Sequence, residues 1–238
     1  MLPTNVELRK THAPLSEFVT GTLRTPLLYS PGTQFSYQSM GTLLAGEITE
    51  QISGMPLRNF LNHEIFTPLN LKHTVLGLND LSIEDTAWVQ PTGDEAHNSE
   101  SWGLNSPYWR DMGHPWGGLH SSTTDLAIFL QTFLNSGQYG DVQLLSTSTT
   151  DTMIQNQNRA IAAPWGLGWA LTNSLVWNYF GDLASPGTFG HVGITGTVAW
   201  ADPLRQLICV LLTTRSSTFQ RGILLNSISN LVQSAVIQ

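Results

Sequence analysis

Lysine is nearly absent from these 238 residues, and cysteine occurs once. The lysines are Lys10 and Lys72, and the residues three positions before them are Glu7 and Leu69, so no serine stands in an S-x-x-K arrangement. No serine occupies a G-x-S-x-G elbow either. The one thiol, Cys209, lies inside the apolar run 207–212, where a buried structural cysteine is expected rather than a nucleophile. A single cysteine also excludes an intramolecular disulfide framework. Every familiar nucleophile signature is therefore missing from the chain.

Basic charge is scarce as well. Ten Lys and Arg against seventeen Asp and Glu give a net charge of -7, and the basic residues form no cluster. A phosphate backbone would meet mostly repulsion, so nucleic acid is not an expected partner. No apolar run approaches the roughly 18 residues of a membrane span, and residues 1–20 lack the basic start and apolar stretch of a leader, so the chain reads as soluble. The seven histidines show no H-E-x-x-H or paired-cysteine spacing. Neither a metal site nor a cofactor is implied.

What the chain does have is 41% hydrophobic content, enough for one large domain with a real core. After an irregular opening, the turn signal Ser30-Pro31-Gly32-Thr33 leads to apolar positions Met40, Leu43, Leu44, Ile48 and Ile52 at helical spacing. They predict a helix over 38–52 with Tyr37 at its mouth. A second helix is expected from Pro56 to before Pro68, burying Leu57, Phe60, Leu61 and Ile65. Periodicity then disappears over 80–118, a stretch holding Trp88, Trp102, Trp109 and Trp116. A segment so long without pattern is either a lid or binding loop, or a plug of aromatic rings over an irregular outer core.

Ser122 caps a further helix whose Leu126, Phe129, Leu130, Phe133 and Leu134 form an apolar face ending at Ser136-Gly137. A short helix follows Thr147. Strands are expected over 165–171, 196–201 and 206–213, with 202–205 turning the last two into antiparallel neighbours. A closing helix within 219–237 presents Ile223, Leu224, Ile228, Leu231 and Val232 to the sheet. The pattern is α+β: one domain over 1–238, mainly helical over 37–160, with sheet and final helix over 161–238.

Several pieces recur in a telling order. They are 31–39 (Pro-Gly-Thr-Gln-Phe-Ser-Tyr-Gln-Ser), the helix with Gly41 and Glu47, Gly117-Gly118-Leu119-His120-Ser121-Ser122, Trp165-Gly166-Leu167-Gly168-Trp169, and Phe189-Gly190-His191-Val192-Gly193-Ile194-Thr195-Gly196. Together they resemble the class C β-lactamase-related family of serine hydrolases, which includes esterases, D-aminopeptidases and penicillin-binding proteins. The resemblance implies a β-lactamase/transpeptidase-like fold, an antiparallel sheet flanked by helices plus a helical region, in which an S-x-x-K serine forms an acyl-enzyme. It places that serine's helix and the first strands upstream of Tyr37. Residues 1–5 look similar to a segment following that helix, so the expectation is an N-terminally truncated domain with Met1 internal to a longer product.

By the same resemblance Tyr37 is the general base and later acid, though a phenol with a pKa of about 10 needs nearby positive charge to act so. With the motif lysine absent, His191 is the nearest candidate to supply it. His191-Val192-Gly193 stands where β-lactamases carry K-T-G, and His and Val there favour ester or peptide-like amide hydrolysis over β-lactams. A partly buried histidine satisfied by a backbone carbonyl is the plain alternative. Gly193 would let substrate approach the strand edge, and the Ile194 N–H would be one oxyanion donor. Ser39 replaces a frequent asparagine as a substrate contact, or else caps its helix. Trp116 and His120 flank the Gly117-Gly118 turn, which lines the cleft in relatives. His63-Glu64 and Lys72-His73 read as exposed.

The expected function is thus a serine acyl hydrolase of small esters or amides, silent in this chain without its nucleophile segment. The alternatives are a non-catalytic binding module that keeps the cleft, and saccharide recognition by the Trp-rich segment 80–118, which mutation of Trp102 and Trp109 would test. An unpaired sheet edge and open apolar face would also favour self-association.

Overall fold

The computed structural model describes residues 4–93, 95–216 and 222–236, and the chain divides into two units, 1–121 and 122–238. The opening of the first unit is helical, not irregular. Thr4 and Glu7 form a capping box, with Thr4 Oγ1 accepting from Glu7 N at 3.2 Å and the Glu7 carboxylate accepting from Thr4 N at 2.5 Å. This starts α1 (Asn5–Lys10), and α2 (Leu15–Arg24) follows. Leu8, Ala13, Phe18 and Val19 bury against Leu43 of α3 (Ser39–Ser53), which ends at Gly54 in the left-handed region at φ 70°. The resemblance assigned to residues 1–3 lies outside the described residues.

The expected stripe of α3 is covered only in its first half. Leu43 is buried and Gly46 lies against Pro115 and Leu57, whereas Ile48 is 56% and Ile52 83% exposed. Periodicity marks a face but not what covers it. Next, α4 (Leu57–Leu61) starts with Pro56 at the N-cap and widens into a π turn over Asn62–Phe66. The Glu50 carboxylate accepts from Leu57 N at 2.6 Å, satisfying one of the donors a helix start leaves open. The side chains taken inside are Phe66, Leu69 and Leu71, while Leu57, Phe60, Leu61 and Ile65 stay partly covered.

The segment 80–118 is not structureless. It carries a 3-10 turn (Ile83–Asp85), α5 (Glu95–Asn98) and α6 (Pro107–Asp111), the last capped by Ser106. It ends in a short ladder in which β1 (Val75–Leu76) pairs antiparallel with β2 (Leu119–His120).

In the second unit α7 (Thr123–Leu134) starts at Ser122, whose hydroxyl accepts from Asp125 N at 3.2 Å. A small hairpin of β3 (Gln138–Tyr139) and β4 (Val142–Gln143) and the helix α8 (Thr147–Met153) lead to a four-stranded antiparallel sheet. Its order is β5 (Ala170–Leu171), β6 (Phe189–Gly193), β7 (Thr197–Asp202) and β8 (Leu207–Leu212). The expected strand over 165–171 keeps only its last two residues, and β6 is an element the periodicity missed. The β7–β8 hairpin stands as expected.

Alternation along the strands builds two apolar layers. Val192, Val198, Trp200 and Cys209 join Leu225 of α9 (Ile223–Ser234) on one face. On the other, Phe189 and Ala201 join Leu130 and Phe133 of α7. Cys209 is therefore a core residue, as expected. The inward face of α9 is only partly the predicted one: Val232 packs against the core and Ile228 is part-buried, but the fully buried residues are Leu225, Ser229 and Gln233, and Ile223, Leu224 and Leu231 face solvent. Polar groups decide this, because Ser229 Oγ donates to the Tyr179 carbonyl and accepts from Trp200 Nε1, and Gln233 Nε2 donates to the Phe180 carbonyl. Residues 219–221 and 237 of that prediction lie outside the described residues.

The hairpin turn is held by Asp202, fully buried. One carboxylate oxygen accepts from Leu204 N and Arg205 N, and the other from Arg205 Nη1 at 2.9 Å and Ser185 N. Burial alone would push this carboxyl up, but the bonds from Ser185 and Arg205 outweigh it and hold it below the usual carboxylate range. Asp202→Asn is expected to cost about 3 kcal/mol in urea unfolding at neutral pH. A depressed carboxyl contributes stability above its unfolded pKa and loses it as pH falls, so the deficit should shrink below pH about 4. An unchanged midpoint would show that the pair is not holding the turn.

Candidate active site

Tyr37, Ser39, Trp116, Gly117 and His120 belong to the first unit, and His191, Gly193 and Ile194 to the second. Tyr37 immediately precedes Gln38, the extended N-cap residue of α3, as the apolar pattern predicted. Its ring is 40% exposed, and burial of the rest pushes the phenol up from its ordinary value. That direction disfavours the phenolate a base requires. Ser39 occupies the first helical position and α3 has no side-chain cap, so the capping reading of Ser39 falls away.

Trp116, Gly117 and His120 come together around a residue that sequence reasoning passed over, His114. It is 2% exposed, with its ring between Trp109 and Trp116 at centroid distances of 4.3 and 4.6 Å. Its carbonyl accepts from Gly118 N at 2.8 Å and Gly117 N at 3.3 Å, which folds the turn back over the imidazole. A Cβ on Gly118 would come 2.6 Å from His114 N, so the turn needs a glycine there for close approach. Gly118 O in turn accepts from Gly77 N, setting the β1–β2 register that carries His120. His120 Nε2 lies 3.3 Å from the Arg110 carbonyl and so donates, and burial pushes its pKa down despite that bond. The only sequence signal for His114 was its setting, Gly113-His114-Pro115-Trp116, among aromatic residues.

Arg9, which looked like one of several scattered cations, is buried in the same region. Its guanidinium sits 3.9 Å from the Trp109 centroid and 5.2 Å from that of Trp102, and two of its nitrogens donate to the Trp102 carbonyl. Trp102, Trp109 and Trp116 are thus part-buried against these groups, and Trp88 is the one of the four that is largely exposed, at 65%. These contacts favour the plug of aromatic rings for Trp102 and Trp109 over a flat binding platform.

In the second unit His191 lies on β6 opposite Ala199, with its ring edge-on to Trp165 at 5.8 Å. Its Nδ1 is 2.8 Å from the Val192 carbonyl, and burial pushes its pKa down against the pull of that bond. That direction disfavours the charged imidazolium. Gly193 closes β6 and Ile194 opens the turn to β7, locked by Gly196 N donating to Gly193 O at 3.1 Å. A Cβ on Gly193 would meet Thr197 Oγ1 at 2.5 Å, so internal packing as well as any substrate accounts for this glycine. Among the described residues no group of three or more His, Cys, Asp or Glu is placed to hold a metal, and no helix is long and apolar enough to cross a membrane.

An antiparallel sheet with helices on both faces, and a mainly helical unit before it in sequence, define an α+β protein of the β-lactamase/transpeptidase-like fold. The chain belongs to the Beta-lactamase family, whose sequence model matches residues 3–229. It is 36% identical over 208 residues to a candidate D-alanyl-D-alanine carboxypeptidase of Escherichia coli O157:H7, covering 81% of this chain and 48% of that protein. The chain thus spans about half the length of the curated relatives it matches. Among solved structures it is similar to EstCE1, a hydrolase with promiscuous acyltransferase activity (TM-score 0.70, 20% identity, 92% of this chain and 61% of the other). A penicillin-binding protein homologue from Caulobacter crescentus (0.67, 20%, 90% and 61%) and a β-lactamase from Mycobacterium bovis (0.64, 24%, 88% and 67%) share the fold.

His114 gives this region a pH dependence. Its pKa is pushed down to about 3, first by burial and then by the positive charges of Arg9 and His120. Between pH about 6.5 and about 3 the unfolded chain binds a proton that the folded chain refuses. Stability therefore falls as pH falls, by up to about 1.4 kcal/mol per unit from this residue. His114→Phe keeps the ring stack and removes the titration, so urea midpoints compared between pH about 7 and about 5 should fall less in the variant. Parallel pH profiles for the two proteins would overturn the assignment.

Proposed function

We propose that the chain is the base and oxyanion portion of a serine acyl hydrolase that works through an acyl-enzyme on a small ester or peptide-like amide. The observation that carries this reading is the ordered pair of elements: Tyr37 at the mouth of α3, and the His191-Val192-Gly193 strand running into the Ile194 turn. Tyr37 takes the nucleophile's proton and later returns it to the leaving group, and the Ile194 N–H faces the developing oxyanion. Ser39, Trp116, Gly117, His120 and Gly193 contact the substrate. Membership of the family supports the reaction class. The carboxypeptidase name of the Escherichia coli relative and the acyltransferase activity of EstCE1 support acyl transfer in particular.

Because none of the 238 residues supplies an S-x-x-K pair, the chain by itself should not turn over. Loss of a serine nucleophile costs on the order of a millionfold in rate. The purified chain is expected to leave a nitrophenyl ester intact and to take no fluorophosphonate label. A covalent label on any of its serines would sink the proposal. A second reading, a non-catalytic binding module that keeps the cleft, rests on the lack of an S-x-x-K pair among these residues. An in-frame S-x-x-K upstream of the Met1 codon supports the enzyme, and a stop codon there supports the binder.

We infer self-association from exposed apolar side chains. Leu27, Leu28, Ile48 and Ile52 all project to solvent in the first unit. Sedimentation velocity should show the isolated chain concentrating into oligomers; a monomer with a cooperative, high-temperature melt would contradict this.

A further inference from the structure

We propose that the outer edge of β8 is an interface that pairs antiparallel with β8 of a second copy of this chain, Val210 lying opposite Val210 of the copy.

The backbone groups that the sheet leaves over can be named. Thr213 N donates to the Gly196 carbonyl at 3.2 Å, which extends the β7–β8 ladder by one bonded pair. Bonded and non-bonded pairs alternate along antiparallel strands, so Leu207, Cys209 and Leu211 are the residues that bond to β7. The N–H and C=O groups of Ile208, Val210 and Leu212 therefore point away from it. β8 ends the sheet order, and among the described residues no strand pairs on that side.

An edge of this kind is ordinarily guarded by a charge, a proline or a bulge. The run Leu-Ile-Cys-Val-Leu-Leu contains no charge or proline, and its register with β7 is unbroken from Leu207 to Leu212. Of that run only Cys209 is buried, although its side chains join apolar clusters on both faces of the sheet. The nearby flank of α9 is apolar as well. Successive residues of a helix turn by about 100°, which sets Leu224, Ile228 and Leu231 on the side of α9 away from Asn226 and Asn230. Those two asparagines accept from the 181–183 loop, on the β5 and β6 side of the sheet. Leu224 and Leu231 are exposed, so an apolar ledge borders the open edge.

Symmetry selects a second copy as the occupant. A two-fold axis at Val210 pairs Ile208 with Leu212 of the copy and Leu212 with Ile208 of the copy, so each outward N–H and C=O of the three residues finds a partner. Registers shifted toward either end draw in Gln206, whose φ of 51° is not strand geometry, or Thr214, which lies outside the strand. The same axis keeps the layers continuous. Ile208 and Val210 extend the α7 layer, and Cys209 and Leu211 extend the α9 layer. Cys209 then stands opposite Leu211 of the copy in a non-bonded pair, where Cβ atoms lie about 4.5–5.5 Å apart.

Backbone amide hydrogen exchange of the full 238-residue chain over a concentration series tests the pairing without any substitution. Exchange at Ile208, Val210 and Leu212 should slow by about tenfold from dilute to concentrated protein, while Leu207, Cys209 and Leu211 stay unchanged. Leu212→Pro removes one outward N–H and no bond to β7, and it should weaken that protection at Ile208. Oxidation with copper phenanthroline reads the register: Leu211→Cys should give a disulfide-linked dimer through Cys209, and the unsubstituted chain should not. Ile52→Ser, which trims exposed apolar surface in the first unit, should leave that cross-link in place, so this contact is separable from association through the first unit. Three outcomes would each overturn the proposal: amides at 208, 210 and 212 already protected in dilute protein, no concentration dependence there, or cross-linking of the unsubstituted chain through Cys209.

Discussion

Burial of β7 on both faces is the constraint from which the second unit is built. Trp200, with no exposed surface, fills the face toward α9 and spends its only donor on Ser229 Oγ at 3.0 Å. Small residues, Ala199 and Ala201, occupy the other face and let α7 approach. The neighbouring strand must then accommodate Trp200, and it does so with Gly190, where a Cβ would come 2.4 Å from the Ala199 carbonyl and 2.7 Å from Trp200 Cβ. That fit fixes the register of β6, setting His191 opposite Ala199 and Gly193 opposite Thr197. The turn that follows admits no alternative at Gly196, which has φ 93° and whose Cβ would overlap the Arg215 carbonyl. The positions of His191, Gly193 and Ile194 thus descend from packing on the neighbouring strand β7.

Two-sided burial also explains which strands the sequence revealed. Residues 207–212 are apolar at almost every position because both of their faces are covered, and such a run bounded by a turn reads as a strand. In contrast, β6 contains two glycines and a histidine in five residues and has no such signature. Its presence was legible through family resemblance and not through pattern. For α9 the pattern misled for a physical reason: Ser229 and Gln233 point inward because the 179–183 loop offers backbone carbonyls there. Asn226 and Asn230 accept from backbone N–H groups of the same loop. A hydrophobic stripe locates the buried side of a helix when the partner is a sheet face, and it fails when the partner is a loop that must be hydrogen-bonded.

The first unit shows the same limit in another form. The boundaries of α3 were legible, since Tyr37 and Gly54 bracket the observed helix, and α1 could have been found from Thr4 and Glu7 alone. The 80–118 segment could not, because its order comes from Arg9, Arg110 and His114. Arg110 donates to Ala87 O at 2.8 Å and to Asn105 Oδ1 at 2.6 Å, while Arg9 and His114 stack on tryptophans. Charged and imidazole groups used as internal packing leave no periodic trace. Each looks, in sequence, like a surface residue.

The chemistry of the candidate residues turns on where positive charge can come from. Tyr37 is pushed toward the phenol by burial, and His191 is pushed toward the neutral ring by burial. Neither direction favours a phenolate, which near neutral pH is stabilised by a neighbouring cation. The cations of the first helix are engaged elsewhere: Arg9 lies against Trp102 and Trp109, and the Lys10 ammonium stands 5.7 Å from the Trp102 ring. The scarcity of lysine is therefore more than the loss of one motif. On the proposed acyl-hydrolase reading, an S-x-x-K pair would bring both the nucleophile and a charge beside the tyrosine in one helical turn, so its absence from these residues would remove two requirements at once.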